Sequence, residues 1–106
     1  EAKKPREASE GSEHIIRVSG KINPGRLAGY VKEVVLKEGE AIMQAVGAEA
    51  IMQTLRTTMI AETYIRNNAD AEARLALVPS YEEVPRTGRY NGTGTTISVR
   101  VRCFIA

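Results

Sequence analysis

The chain has 106 residues, of which 42% are hydrophobic and 26% charged, and this balance fits one globular domain rather than two domains or a disordered polymer. Its net charge of +2 identifies no partner by itself. One cysteine and one histidine, Cys103 and His14, exclude an intramolecular disulfide and a structural zinc site with four side-chain ligands. The apolar runs are too short for a transmembrane helix or a secretory signal, so we expect a cytoplasmic protein, or a nuclear one in a eukaryote.

The first thirteen residues differ in composition from the rest of the chain. Residues 1–13 contain no Ile, Leu, Val or aromatic residue and are rich in Lys, Glu and Ser. Such a segment cannot bury enough apolar surface to offset the entropy lost on folding. We therefore predict a disordered tail over residues 1–13 and one folded domain over residues 14–106.

A short strand and a helix are predicted at the start of this domain. Apolar and polar residues alternate from Ile16 until Gly20, which is typical of a strand. Asn23 followed by Pro24 favours a helix start, because Asn caps the first turn and Pro lacks an N–H that this position does not need. Gly39 provides the helix end.

The remaining elements complete an alternating pattern of strands and helices. A second strand is predicted over residues 40–46, and a long helix with apolar residues at intervals of three and four follows and ends at Asn68. Alternation predicts a third strand within residues 71–77 and a fourth within residues 97–104, separated by a loop over residues 79–94. The sequence therefore predicts an α/β two-layer fold of order β-α-β-α-β-β, with both helices on one face of a four-stranded mixed sheet.

The uncovered face of this sheet is predicted to carry arginine. Successive strand residues point to opposite faces, so Arg17, Arg74, Arg100 and Arg102 face away if their apolar neighbours face the helices. Four arginines on one surface indicate an anion-binding face, although ordinary solvent-facing polarity explains each one separately. Phe104 falls on the same face near an apolar chain end, which predicts that a second copy of the chain covers it.

Two loops concentrate positive charge. Lys21 and Arg26 surround the start of the first helix, where free N–H groups and the helix dipole favour an anion such as phosphate. Residues 86–106 contain four arginines and no acidic residue, and Arg86 and Arg89 lie in the long loop between the last two strands. A basic stretch attracts polyanions, whereas the alternative is a pair of turns with solvated cations.

Motifs for catalysis are weak. His14 lies at the junction with the predicted tail, and no Gly-x-Ser-x-Gly or Cys/His arrangement occurs. The glycines at 92 and 94 begin like a dinucleotide fingerprint, but Ile97 occupies the third glycine position and a strand follows instead of a helix. We predict no enzymatic activity, no cofactor, no metal site and no small-molecule substrate.

Two segments carry a resemblance to a known family. They read Val18-Ser19-x-Lys21-x-x-Pro24-x-x-x-Ala28-Gly29 and Ile42-x-Gln44-Ala45-Val46-Gly47-Ala48-x-Ala50-Ile51-x-Gln53. The chain resembles the stage V sporulation protein S family over residues 16–105 and, more distantly, the Alba family of small nucleic-acid-binding proteins. The fold that this resemblance implies is β-α-β-α-β-β, similar to the C-terminal domain of bacterial translation initiation factor three.

The resemblance to Alba proteins implies a homodimer that binds DNA or RNA with little sequence preference. Its contacts would come from a basic loop before the first helix and from an arm formed by the last two strands. Lys21 matches the lysine of that loop, whereas Ile22 and Asn23 replace the second lysine of the Alba pattern. Ala48 and Glu49 stand where many Alba proteins have basic residues, so we expect a milder affinity.

These observations predict a dimeric Alba-like protein that binds DNA or RNA through phosphates and has no membrane partner. The alternative is a protein-interaction or scaffold module, in which the apolar end Phe104-Ile105-Ala106 is a functional surface and the arginines confer solubility. Arg56 is expected to contribute from the second helix, and Tyr90 would stack on an unpaired base. The predicted nucleic-acid-binding residues are Lys21, Arg26, Arg56, Arg86, Arg89 and Tyr90.

Overall fold

The computed structural model describes residues 14–85 and 95–106. The predicted tail over residues 1–13, and Arg86, Arg89 and Tyr90, lie outside the described residues. The element order confirms the predicted α/β two-layer fold. Its elements are β1 (Ile15–Val18), α1 (Pro24–Glu38), β2 (Ala41–Val46), α2 (Ala48–Asn68), β3 (Leu75–Pro85) and β4 (Thr95–Ile105).

The four strands form one mixed sheet in the order β1-β2-β4-β3. β1 and β2 are parallel, as a helical crossover requires, and β4 is antiparallel to both β2 and β3. The strands β1, β2 and β3 therefore run in one direction, as predicted. β3 forms an edge of the sheet, so it has a neighbouring strand on one side only.

The ends of α1 follow the predicted capping chemistry. The Asn23 side chain accepts a hydrogen bond from the Arg26 amide, and Pro24 occupies the first helical position. Gly39 ends the helix with a φ of 95°, and its N–H donates to the Val35 carbonyl. A residue with a left-handed backbone conformation is strained unless it is glycine, so this position requires Gly39.

The core lies between the sheet and the two helices. Met43 of β2 is fully buried, as are Val31 of α1 and Ile65 of α2. Cys103 of β4 is also fully buried, and desolvation raises the pKa of its thiol to about 12. The thiol is therefore protonated and unreactive at neutral pH.

The third strand begins and ends later than predicted. Residues 71–74 form a turn instead of a strand, because the Asp70 carboxylate accepts a hydrogen bond from the Glu72 amide and the Asp70 carbonyl accepts one from the Ala73 amide. The strand then continues through Pro79 to Pro85, where a loop was predicted. Proline removes a hydrogen-bond donor, and an edge strand tolerates this loss.

Three of the four predicted arginines lie on the face of the sheet away from the helices. Arg17 pairs with Gln44, which pairs in turn with Arg100, and Arg102 follows on the same side of β4. The prediction for Arg74 was wrong. Arg74 precedes β3 in the turn, and its Nε donates to the carboxylate of Glu62 on α2 at 3.0 Å.

Candidate nucleic-acid interface

The loop between β1 and α1 has a fixed backbone and an exposed lysine. The Lys21 amide donates to the Ser19 hydroxyl at 3.2 Å, and the Ile22 amide donates to the Ser19 carbonyl at 3.4 Å. From α2, Gln53 Nε2 donates to the Gly20 carbonyl at 3.1 Å. Because three hydrogen bonds hold the loop, the side chain of Lys21 extends into solvent from a defined position.

The loop also packs closely against the first turn of α2. A Cβ atom added at Gly20 would lie 3.0 Å from both Cβ and Oε1 of Glu49. Only glycine allows this approach without a shift of the loop or of Glu49. The contact places a carboxylate beside the lysine loop, so Glu49 reduces the positive potential there.

The start of α1 offers fewer free N–H groups than the sequence suggested. Pro24 has none, the Arg26 amide donates to the Asn23 side chain, and the Leu27 amide donates to the Asn23 carbonyl at 3.0 Å. An anion at this end would therefore depend on side chains more than on the helix N-terminus. Arg26 is exposed and provides such a side chain.

Arg56 lies on α2, three residues after Gln53, and is exposed. Residues three apart lie on the same side of a helix, so Arg56 is one turn beyond the side chain that contacts the Gly20 carbonyl. Tyr64 holds the two helices together near the same loop, because its hydroxyl donates to the Gly25 carbonyl at 3.3 Å. Arg56 therefore lies along α2 between Gln53 and Tyr64, the two residues that contact the loop and the start of α1.

The long hairpin extends from the same end of the sheet. β1 ends at Val18, and the cross-strand row through Val18 continues through β2 and β4 to Tyr81 of β3. Beyond the last pair of β2, the strands β3 and β4 continue as a two-stranded ribbon to the pair Pro85 and Thr95, about 10 Å further. The last described pair of this ribbon, Pro85 and Thr95, therefore lies beyond the end of the sheet where Lys21 lies, whereas Arg86, Arg89 and Tyr90 are outside the described residues.

The sequence indicates the cations but not the residues that position them. Gln53 and Gly20 are 33 residues apart and meet only after α2 packs beside β1. The Gln53 Oε1 atom is buried and has no hydrogen-bond partner among the described residues. Gln53 ends the second segment of the family resemblance, but its neighbours in the sequence do not indicate that it contacts Gly20.

The uncovered sheet face carries fewer available cations than predicted. Arg102 donates to the Glu40 carboxylate at 2.7 Å and lies over the Phe104 ring, with 5.6 Å between the guanidinium carbon and the ring centre. The Arg102 guanidinium and the Phe104 ring therefore contact each other on this face. Phe104 is partly buried and alternates with buried Cys103, so it lies on the face away from the helices, and the dimer prediction based on it stays a prediction.

A shallow depression of about 300 Å³ lies on the β3 side of the same face. Ser98 at its base is buried and accepts a hydrogen bond from Gln44 Nε2 at 3.0 Å. Because Glu82 lines the depression together with Arg100, its charges partly cancel. The lining residues are Ser80, Tyr81, Glu82, Ser98 and Arg100.

His14 contacts α1, since the Tyr30 hydroxyl lies 3.0 Å from its Nε2 and the two rings meet edge to face. Over residues 14–85 and 95–106, no group of three or more His, Cys, Asp or Glu side chains is placed to hold a metal ion. Neither described helix combines the length and the apolar character needed to cross a membrane.

Residues 14–103 match the family model of stage V sporulation protein S. The match covers β1 through most of β4 and includes both segments on which the resemblance was based.

Proposed function

The chain belongs to the stage V sporulation protein S family, and we propose that it is a nucleic-acid-binding protein that contacts DNA or RNA through backbone phosphates. The observation that carries this proposal is that Lys21 and Arg26 are exposed at the end of the sheet from which the β3–β4 ribbon extends. Contacts of this kind bind many sequences with similar affinity, because phosphates carry no base information.

The positions of these side chains favour contact with the outside of a nucleic acid, along its phosphate backbone, rather than with a base held in a deep pocket. Lys21 and Arg26 project from the β1–α1 loop and the first turn of α1, and the β3–β4 ribbon extends beyond the same end of the sheet. A nucleic-acid backbone that crosses this end would meet the loop and the hairpin together. Glu49 beside Gly20 lowers the local charge, so the proposed affinity is moderate and sensitive to salt.

A salt-dependent binding titration against duplex DNA, single-stranded DNA and structured RNA tests the proposal. Each phosphate contact releases condensed counterions, so four cations per protomer give a log–log slope of about −3.6 on duplex DNA. On single-stranded DNA the same contacts give about −2.8. Absence of binding to all three ligands at low salt would contradict the proposal.

Single substitutions locate the contacts. Lys21→Ala, Arg26→Ala, Arg86→Ala and Arg89→Ala should each make the duplex slope shallower by about 0.9 per protomer and weaken binding equally across sequences. Lys37→Ala is the matched control, because Lys37 is an exposed lysine in the last turn of α1, at the other end of that helix. If Lys37→Ala changes the slope as much as the four variants do, the binding surface is placed wrongly.

Arg56 and Tyr90 have separate expected effects. Arg56→Ala should reduce the slope on all three ligands if the second helix faces the backbone. Tyr90→Ala should weaken binding to single strands by roughly tenfold or more and leave duplex binding nearly unchanged, since stacking needs an unpaired base.

The alternative function is a protein-interaction or scaffold module without direct nucleic-acid binding. The observation that favours it is an exposed apolar groove of about 340 Å³ between α2 and β3, lined in part by Met52, Leu55, Met59, Leu75 and Leu77. A chain that self-associates but binds no nucleic acid at low salt would support this alternative.

A further inference from the structure

The shallow depression on the uncovered sheet face is built from two pairs of residues in β3 and β4. Ser80 pairs with Arg100, and Glu82 pairs with Ser98. Alternate residues of a strand point to the same face, so these four side chains border one area of the face away from the helices. The volume of about 300 Å³ is at the lower end of the range for small-ligand pockets, roughly 300–1,000 Å³. The depression therefore has room for a single planar group rather than for a folded segment.

The depression presents hydrogen-bond donors and acceptors together. Arg100 supplies a planar fork of N–H donors, and the Glu82 carboxylate supplies acceptors. Ser98 at the base is 4% exposed and accepts a hydrogen bond from Gln44 Nε2, so its own hydroxyl hydrogen can be donated to a ligand. A phosphate fits this surface poorly, because the carboxylate repels it. The ligand that suits it is a neutral polar group with both acceptors and donors.

Among the nucleic-acid bases, guanine matches this combination most completely. Its O6 and N7 atoms accept hydrogen bonds from a guanidinium, which is the commonest specific contact between arginine and a base. Its N1–H and N2–H groups lie side by side and donate to a carboxylate, which accepts at both oxygens. Adenine, cytosine and uracil each lack at least one of these two pairs. A guanine in a duplex does not offer its N1–H and N2–H groups, because cytosine occupies them.

We propose that this depression binds an unpaired guanine of a single-stranded nucleic acid, with Arg100 at the O6 and N7 edge and Glu82 at the N1 and N2 edge. The inference rests on the proposed function, because its ligand is a nucleic acid, and it adds a base preference that phosphate contacts do not provide. The site is separate from Lys21 and Arg26, which lie in the β1–α1 loop and the first turn of α1. Binding to a duplex keeps its low sequence preference.

A second arginine on this face is placed for the backbone of the same single strand. Arg17 pairs with Gln44, and Gln44 pairs with Arg100, so the three residues form one row across β1, β2 and β4. Neighbouring strands are about 4.8 Å apart, which places the backbone of Arg17 about 10 Å from that of Arg100. The Arg17 side chain is exposed, and two strands separate it from the Glu82 carboxylate. A phosphate beside the bound guanine would therefore meet a guanidinium there.

Fluorescence anisotropy of the full chain with labelled single strands of about ten nucleotides measures the base preference. One strand contains only thymidine, and the other has a single central guanine in the same thymidine strand. The wild type should bind the guanine strand at least about fivefold more tightly, which is the low end for one bidentate contact with a base. A strand with inosine in place of the guanosine lacks the N2 amine and should bind with intermediate affinity.

Glu82→Ala separates base recognition from charge. It should bring the affinities for the two strands to within about twofold of each other. It should also raise the affinity for the thymidine strand, because it removes a carboxylate near the phosphates. Glu83→Ala is the matched control: Glu83 is also exposed on β3, but it pairs with Ile97 and points to the opposite face, so this variant should keep the guanine preference.

Arg17→Ala should weaken binding to both strands equally and make the log–log salt slope shallower by about 0.7, as the loss of one phosphate contact on a single strand does. Equal wild-type affinity for the guanine and thymidine strands would overturn the inference and leave the proposed function intact. The same conclusion follows if Glu82→Ala keeps the guanine preference, if Glu83→Ala or Arg17→Ala removes it, or if inosine binds as tightly as guanosine. Failure to bind any strand or duplex at low salt would instead contradict the proposed function, so the two failures are distinguishable.

Discussion

At the scale of single residues, Glu62 connects α2 to the start of β3. Its carboxylate accepts a hydrogen bond from the Leu75 amide at 2.9 Å and one from Arg74 Nε at 3.0 Å. The Leu75 hydrogen bond is the main cause that lowers the pKa of Glu62, partial burial opposes it, and Arg74 lowers the pKa further. This contact explains why Arg74 leaves the sheet face on which its position in the sequence would place it.

Replacement of this carboxylate should reduce stability in a pH-dependent way. Glu62→Gln should lower the free energy of unfolding by about 1.5 kcal/mol at pH 7, the order of a hydrogen bond to a charged group. Because the folded pKa lies below the ordinary value of 4.5, the contribution is present above pH 4.5 and is lost as pH falls through the folded pKa. Urea unfolding at pH 7 and at pH 3 measures both parts.

Glu72→Gln is the control for this prediction. Glu72 is an exposed glutamate in the same turn, and its amide, rather than its carboxylate, makes the contact with Asp70. Its replacement should change the free energy of unfolding by less than about 0.5 kcal/mol. A loss at pH 7 equal to that of Glu62→Gln would show that general charge, and not the Leu75 contact, stabilises the turn.

At the scale of elements, the sequence predicts what is local. The start of α1 at Pro24 and its end at Gly39 follow from capping chemistry within a few residues, and both are as predicted. The start of β3 could not be predicted from the alternation of apolar and polar residues. This alternation continues through residues 71–74, whereas a hydrogen bond to the Asp70 side chain turns the backbone there. Its extension through Pro79 depends on the edge position of β3, which only the complete sheet determines.

Two glycines of α1 should respond oppositely to replacement by alanine. Gly29 lies inside the helix, and an added Cβ would meet no atom within 4 Å, so Gly29→Ala should raise the free energy of unfolding by about 0.5–1 kcal/mol. Gly39 has a φ of 95°, which strains any other residue, so Gly39→Ala should lower the free energy of unfolding by about 1–2 kcal/mol. Thermal or urea unfolding of the two variants provides the comparison, and a shift of the same sign in both would contradict the conformational argument.

At the scale of the whole molecule, the sequence predicts which residues carry charge but not which surfaces remain uncovered. Lys21 and the hairpin are placed at one end of the sheet by element order alone, and the strand directions agree. The exposed apolar residues of α2 could not be predicted, because Met52, Leu55 and Met59 have the same periodic pattern as core positions of a helix. Their exposure follows from the packing of α2 on the central strands, which leaves β3 to one side.

The proposed function and the homodimer predicted from the sequence together predict how association changes binding to nucleic acid. A dimer that places both sets of four cations on one duplex should bind with a log–log salt slope of about −7 per dimer. Leu55 is exposed in the apolar groove between α2 and β3, so Leu55→Asp should weaken a dimer that covers this groove. The variant retains Lys21, Arg26, Arg86 and Arg89, so a monomeric Leu55→Asp should have a slope of about −3.6. Its affinity at fixed salt should fall at least about 100-fold, because the second set of contacts no longer acts at high effective concentration.

Titrations of Leu55→Asp and Leu36→Asp on the same duplex, each accompanied by sedimentation, measure this coupling. Leu36 is the control position, because it is exposed on α1 and does not line the groove. Leu36→Asp removes no cation and leaves the groove intact, so its slope should equal that of the wild type. A monomeric Leu55→Asp that retains the wild-type slope would mean that one subunit makes all contacts with the duplex. In that case the groove would serve assembly alone, and the binding surface would be complete within a single chain.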